Sequence, residues 1–172
     1  NKYNIKVICN AISDINSNVT INYNPSNKGG CSLRKDFDKT STNKDDVTMH
    51  LNNILCKPFE QFHNIKELIN KYKYILFLKI DVEGNETKVF STLIHLFETK
   101  QVLNCMIEIS PDFSSIYDYS LIIYTLMNLK YYIYDLNAIL QGTSSTFTKN
   151  KLSFNNYNSI CNFVKSLQNR PD

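Results

Sequence analysis

Asp81 and Glu83 are the residues of this chain best placed to do chemistry. They end the run Ile75-Leu76-Phe77-Leu78-Lys79-Ile80-Asp81-Val82-Glu83-Gly84, and a helical pattern starts at once afterwards. Such a break reads as a buried strand delivering acidic groups to a strand-to-helix turn. In an open α/β sheet, ligands bind in the crevice outside the carboxyl ends of the strands, so both acids would face that crevice. Helix capping is the other use for them: a carboxylate ahead of a helix accepts its unpaired N–H groups, worth about 0.5–2 kcal/mol. A cap explains only one of the two acids. Gly84 lets the backbone turn sharply or approach a ligand closely.

Glu108 ends Met106-Ile107-Glu108-Ile109 and could bring a third carboxylate to the same crevice. Three clustered acids raise at least one pKa or attract a divalent cation, and either suits deprotonating a hydroxyl. Pairing of Glu108 with a lysine or a backbone amide is equally open. Spacing alone cannot assemble a coordination shell, so no metal ligand is assigned. Among the histidines, His63 and His95 fit structural or exposed positions, whereas His50 borders a long polar loop and is the candidate general base.

The elements that must position these groups follow from periodicity. Ile5–Ile12 reads as a well-buried strand, and Val19–Tyr23 as a half-buried one stopped by Pro25, the two forming a hairpin-like pair. Residues 24–46 read as a long loop, with Gly29 and Gly30 in a plain flexible stretch or, alternatively, a mobile cover. A short extended segment over 47–51 leads into Leu51, Ile54 and Leu55 at helical spacing, then a helix over 59–72. The helix over 85–100 carries Val89, Phe90, Leu93, Leu96 and Phe97 on one stripe, with Glu86, Lys88 and Glu98 away from it. Further strands are predicted near 105–109, 131–134 and 157–164, with a helix over 119–129. Strands alternating with helices indicate an α/β fold with a largely parallel sheet, Asp81 and Glu108 lying at neighbouring carboxyl ends.

The chain of 172 residues is long enough for one domain and one core, spanning 1–172. Its net charge of +3 is spread without a basic block, so neither nucleic acid nor an anionic membrane is implied as a partner. Five widely spaced cysteines with no C-x-x-C pair suggest neither a disulfide framework nor a zinc site, and a reducing, cytoplasmic compartment fits. No apolar run reaches the roughly 18 residues that cross a bilayer, which indicates a soluble chain. It begins at Asn1 without a signal-peptide pattern and is expected to be a piece of something longer.

The stretch Lys79-Ile80-Asp81-Val82-Glu83-Gly84-Asn85-Glu86 resembles the central signature of the FkbM family of S-adenosylmethionine-dependent methyltransferases. Cys9–Asp14 followed by Val19-Thr20-Ile21 resembles the family's third strand, turn and added strand. Gly29–Leu33 is similar to the glycine–serine segment after it, Met106–Ile109 to its fifth strand, and Lys130–Tyr134 to its sixth. Asn85 and Asn52 depart from the family pattern, which has a small apolar residue and an acidic one there. The resemblance implies a Rossmann-like class I methyltransferase fold. It also implies methyl transfer from S-adenosylmethionine to a hydroxyl of a small molecule or sugar, with Asp81 and Gly84 at the cofactor; Asp81, Glu83, Glu108 and, by its place beside the long loop alone, His50 are the candidate catalytic residues. The family's Gly-rich turn after its first strand, and the acidic residue ending its second, have no counterpart among Gly29, Gly30, Gly84 and Gly142. The N-terminal cofactor-binding strands are thus expected to be missing. This chain by itself is expected not to bind S-adenosylmethionine with useful affinity, and to self-associate through an unpaired strand edge. The alternative is a non-catalytic interaction module with the same fold and no cofactor cradle.

Overall fold

The computed structural model describes residues 5, 7–25, 27–33, 49–110, 115–136 and 151–168. Its strands are β1 (Ala11–Ile12), β2 (Ser17–Asn24), β3 (Asn27–Ser32), β4 (Met49–Lys57), β5 (Leu78–Ile80) and β6 (Cys105–Ile107). Its helices are α1 (His63–Tyr72), α2 (Glu86–Glu98), α3 (Ile116–Asn128) and α4 (Tyr157–Leu167), with one 3₁₀ turn at Phe59–Gln61. The architecture is α/β, but the strands form two sheets: a four-stranded one in the order β1-β4-β2-β3, and a two-stranded one of β5 and β6.

The larger sheet corrects several expectations. It is mixed: only the β1–β4 pair is parallel, while β2 runs antiparallel to both β3 and β4. β4 sits between β1 and β2, so residues 5–12 and 19–23 are not a hairpin pair. Of the strand expected over 5–12, only Ala11–Ile12 pairs among the described residues, and Ile5 and Val7 are 75% and 79% exposed. A strand is buried by its neighbours, and the described residues give this one a single partner at its end. Gly29 and Gly30 lie in β3, an edge strand of polar residues whose alternation carries no hydrophobic signal. Residues 34–46 of the expected loop, and 47–48 of the extended segment after it, lie outside the described residues.

Residues 51–55 are strand and not helix. Val19 faces Ile54 while Ile21 faces Leu51, so β4 carries one extra residue at this point, and Asn53 there has φ 59°. A bulge of this kind resets the two-residue alternation and brings apolar side chains three apart onto one face, which imitates helical spacing. Asn tolerates the left-handed region better than most residues.

The core gathers on the other side of the chain. Val89, Phe90, Leu93, Leu96 and Phe97 of α2 pack with Ile80, Val102, Tyr119, Ile122, Ile123 and Leu126. Each such burial contributes about 1.5–3 kcal/mol. Phe97 is fully buried, its ring 5.0 Å from that of Phe90 and 5.6 Å from that of Tyr131. Ile160 and Val164 of α4 complete the cluster.

The strand expected at 157–164 is therefore a helix. Ile160, Phe163, Val164 and Leu167 recur at the 3.6-residue period, and Asn156 with Ser159 forms a capping box at its start. The strand expected at 131–134 is reduced to one bridge, Tyr134 with Lys151, beside which the Leu152 N–H donates to the Ile133 carbonyl at 2.8 Å, and among the described residues no longer ladder forms there. In 75–80, the ladder proper begins at Leu78, and Leu76 and Phe77 are exposed. β5 bonds to β6 alone among the described residues, which leaves one of its edges and that apolar stretch uncovered. No described helix is long and apolar enough to cross a membrane.

Candidate functional site

β5 and β6 are parallel, with Ile80 opposite Ile107, and the Glu108 N–H donates to the Ile80 carbonyl at 3.1 Å. That register sends Asp81 and Glu108 off the same ends of neighbouring strands, as the sequence predicts. After Ile80 the chain turns through two consecutive left-handed residues, Glu83 at φ 50° and Gly84 at φ 92°. Glycine adopts this region without a steric penalty, whereas at Glu83 it costs about 1–2 kcal/mol.

The turn is held from inside by a residue expected to face away from the core. Glu86, the first residue of α2, is 1% exposed. Its carboxylate accepts the Val82 N–H at 3.1 Å and the Gly84 N–H at 3.2 and 3.1 Å, one distance to each oxygen. The Tyr119 hydroxyl donates to the same group at 2.8 Å. A buried carboxylate survives only with such donors, and these three supply them. Burial, then the charge and hydrogen bond of Glu86, push the Tyr119 phenol far above its ordinary range. Nothing in the sequence marks Tyr119 for this contact. The one available sign for Glu86 was an acid in the first helical turn two residues past a glycine.

With those turn amides satisfied by Glu86, Asp81 has other partners. Lys79 donates to it, and its hydrogen bond to Glu108 faces the neighbouring strand end. The helix N-cap is Asn85, whose side chain makes no capping bond. Ligand oxygens of Asp81, Glu83 and Glu108 lie within 4.8 Å of one another. Lys79, then the hydrogen bond from Glu108, hold the Asp81 carboxyl below the usual range. Glu108 is pushed up to about 7, first by its hydrogen bond to ionised Asp81, then by burial and the Asp81 charge, while the Ser110 hydroxyl opposes the rise. Burial, then the charges of Asp81 and Glu86, raise Glu83.

The result is an asymmetric pair: Asp81 ionised, Glu108 carrying the proton below neutrality and able to take one above it. Three oxygen donors supply about half of the six or more ligands that magnesium or calcium takes, and no ion is assigned to them. His50 is not among these groups. It lies in β4, its Nδ1 2.7 Å from Asn22 Oδ1 across the β2–β4 pair. Gly84 is in the turn itself. A cavity of about 260 Å³ elsewhere is lined by Met127, Lys130, Tyr131, Tyr132, Lys151 and Leu152, among others, and by none of the acids.

Residues 1–134 match a family model described as the methyltransferase FkbM domain. No curated protein and no solved structure shows significant similarity to the chain.

Proposed function

The chain belongs to the FkbM methyltransferase family, and from that premise we propose that it takes part in S-adenosylmethionine-dependent O-methylation of a small molecule or sugar. The observation that supports a hydroxyl acceptor is the Asp81–Glu108 pair, a carboxyl group poised near 7 beside one that stays ionised. A general base is most effective when its pKa lies near the working pH. Above its midpoint, Glu108 takes the proton of an acceptor hydroxyl placed against it, and the oxygen gains the electron density it needs to attack carbon. Asp81, kept anionic by Lys79, favours positive charge nearby and orients the acceptor. Glu83 adds a third acidic group at the same mouth.

The bound donor would supply a methyl carbon activated by a positively charged sulfur. The residues present fit the cationic part of that molecule, since the acidic groups of Asp81, Glu83 and Glu108 would offset its sulfonium and ammonium charges. The described residues offer no glycine-rich turn for its adenosine part. We read β5, α2 and β6 as one βαβ unit of a Rossmann-like sheet, which agrees with their parallel pairing. A second reading, a non-catalytic interaction module, draws on the exposed apolar residues Ile5, Val7, Leu76 and Phe77.

Calorimetric titration of the full-length protein with S-adenosylmethionine separates the two. Binding, with methyl transfer that rises through a midpoint near 7 and loses that step in Glu108→Gln, supports the enzyme. Absence of binding supports the module.

A further inference from the structure

Glu86 holds two particular peptide units. The Val82 N–H belongs to the peptide that follows Asp81, and the Gly84 N–H to the peptide that follows Glu83, so each candidate site acid is one Cα away from an anchored group. The anchor is tied in turn to α3 through Tyr119, which is fully buried. Around this clamp lie three acids whose mutual repulsion would open the turn, at a residue, Glu83, already held in the left-handed region. An exposed capping side chain would have accepted from such amides without reaching into the core. Here the chain buries an ionisable group to do it, and surrounds that group with donors.

We propose that Glu86 and Tyr119 are positioning residues of the acidic site. Their hydrogen-bonded pair locks the 82–84 turn to α3 and thereby sets the separation of Asp81 and Glu83 from Glu108. For its catalytic consequence this rests on the function proposed above, but its structural content does not. Glu108 projects from β6, Asp81 and Glu83 from the clamped turn, so loss of the clamp lets the acids part while both strands persist.

The test follows the carboxyl of Glu108 by carbon-detected NMR titration in the wild type, Tyr119→Phe, Glu86→Gln and the control Val164→Ala. Groups that act on Glu108 are Asp81 and Glu83 from the turn, Lys79 from β5, Tyr119 from α3 and the Ser110 hydroxyl on its own strand end, and near neutrality Tyr119→Phe removes only an uncharged phenol, leaving the charge of the others in place. The expected result is a wild-type midpoint near 7 that falls by about one unit or more in Tyr119→Phe and Glu86→Gln, with faster hydrogen exchange at the Val82 and Gly84 amides. Val164→Ala, in the core at α4, should lower thermal stability without moving that midpoint. Should Glu86→Gln fail to fold, Tyr119→Phe carries the comparison. Wild-type titration and exchange in Tyr119→Phe would overturn the proposal and reduce the pair to ordinary core. No methyl donor enters the measurement, so it can succeed where the proposed activity fails. A moved midpoint with unchanged methyl transfer in the full-length protein would uphold the clamp and remove Glu108 from the reaction.

Discussion

The β5–α2–β6 unit and the four-stranded sheet are built to opposite standards. The first rests its short strands on a helix whose apolar stripe is closed over by α3 and α4, and its one buried charge has three donors. The second leaves Met49, Leu51 and Leu55 of β4 exposed, and bonds across it such as Thr20 to Asn52 and Tyr23 to Met49 lie in solvent. The difference teaches where precision is needed. The three acids within a few ångströms of one another are mounted on packed elements, while the four-stranded sheet leaves apolar side chains of β4 open to solvent.

Core truncation should break this contrast hardest. Phe97→Ala should cost about 3–5 kcal/mol by denaturant unfolding, because a fully buried ring leaves a cavity among Phe90, Leu93 and Tyr131. Next comes Asp81→Asn in the full-length protein, with methyl transfer reduced about 100-fold or more and stability changed by no more than about 1 kcal/mol. Equal rates would limit Asp81 to its pairing with Lys79.

A smaller effect concerns pH. Glu108 is raised in the folded chain, so its contribution to stability is present below the ordinary glutamate range and is lost as pH rises through about 7. Asp81 is depressed, so its contribution is present above the ordinary aspartate range and is lost on acidification. Unfolding midpoints should therefore decline between pH 5 and pH 8 in the wild type, and decline less in Glu108→Gln. Solvent screening keeps the difference modest, since Glu108 is exposed. The smallest effect is expected in the open sheet: Leu51→Ala should cost less than about 1 kcal/mol, and a cost comparable to Phe97→Ala would mean that this face is covered in solution.

The acidic turn was legible because its signals are local. An apolar run, two acids, a glycine and a following 3.6-residue stripe sit within about two dozen residues, and the α2 stripe is buried as its spacing predicts. The neighbouring end at Glu108 followed from strand order alone. The misreadings share a different cause. At 51–55 a single bulge residue imitates helical spacing, and at 157–164 a cluster of apolar residues reads as a short strand although its period is helical. Short apolar runs carry both patterns, and only the neighbours decide between them.

The sequence by itself determined the family, the α/β class, the stripe of α2 and the turn that offers Asp81 and Glu83, because each depends on residues close along the chain. Tertiary structure alone decided that β4 lies between β1 and β2, that α4 closes the core, and that His50 pairs with Asn22 away from the acids. It also decided that Glu86 turns inward. A glutamate on a helix faces water unless something inside the protein donates to it, and the hydroxyl that does so belongs to Tyr119, 33 residues further along the chain.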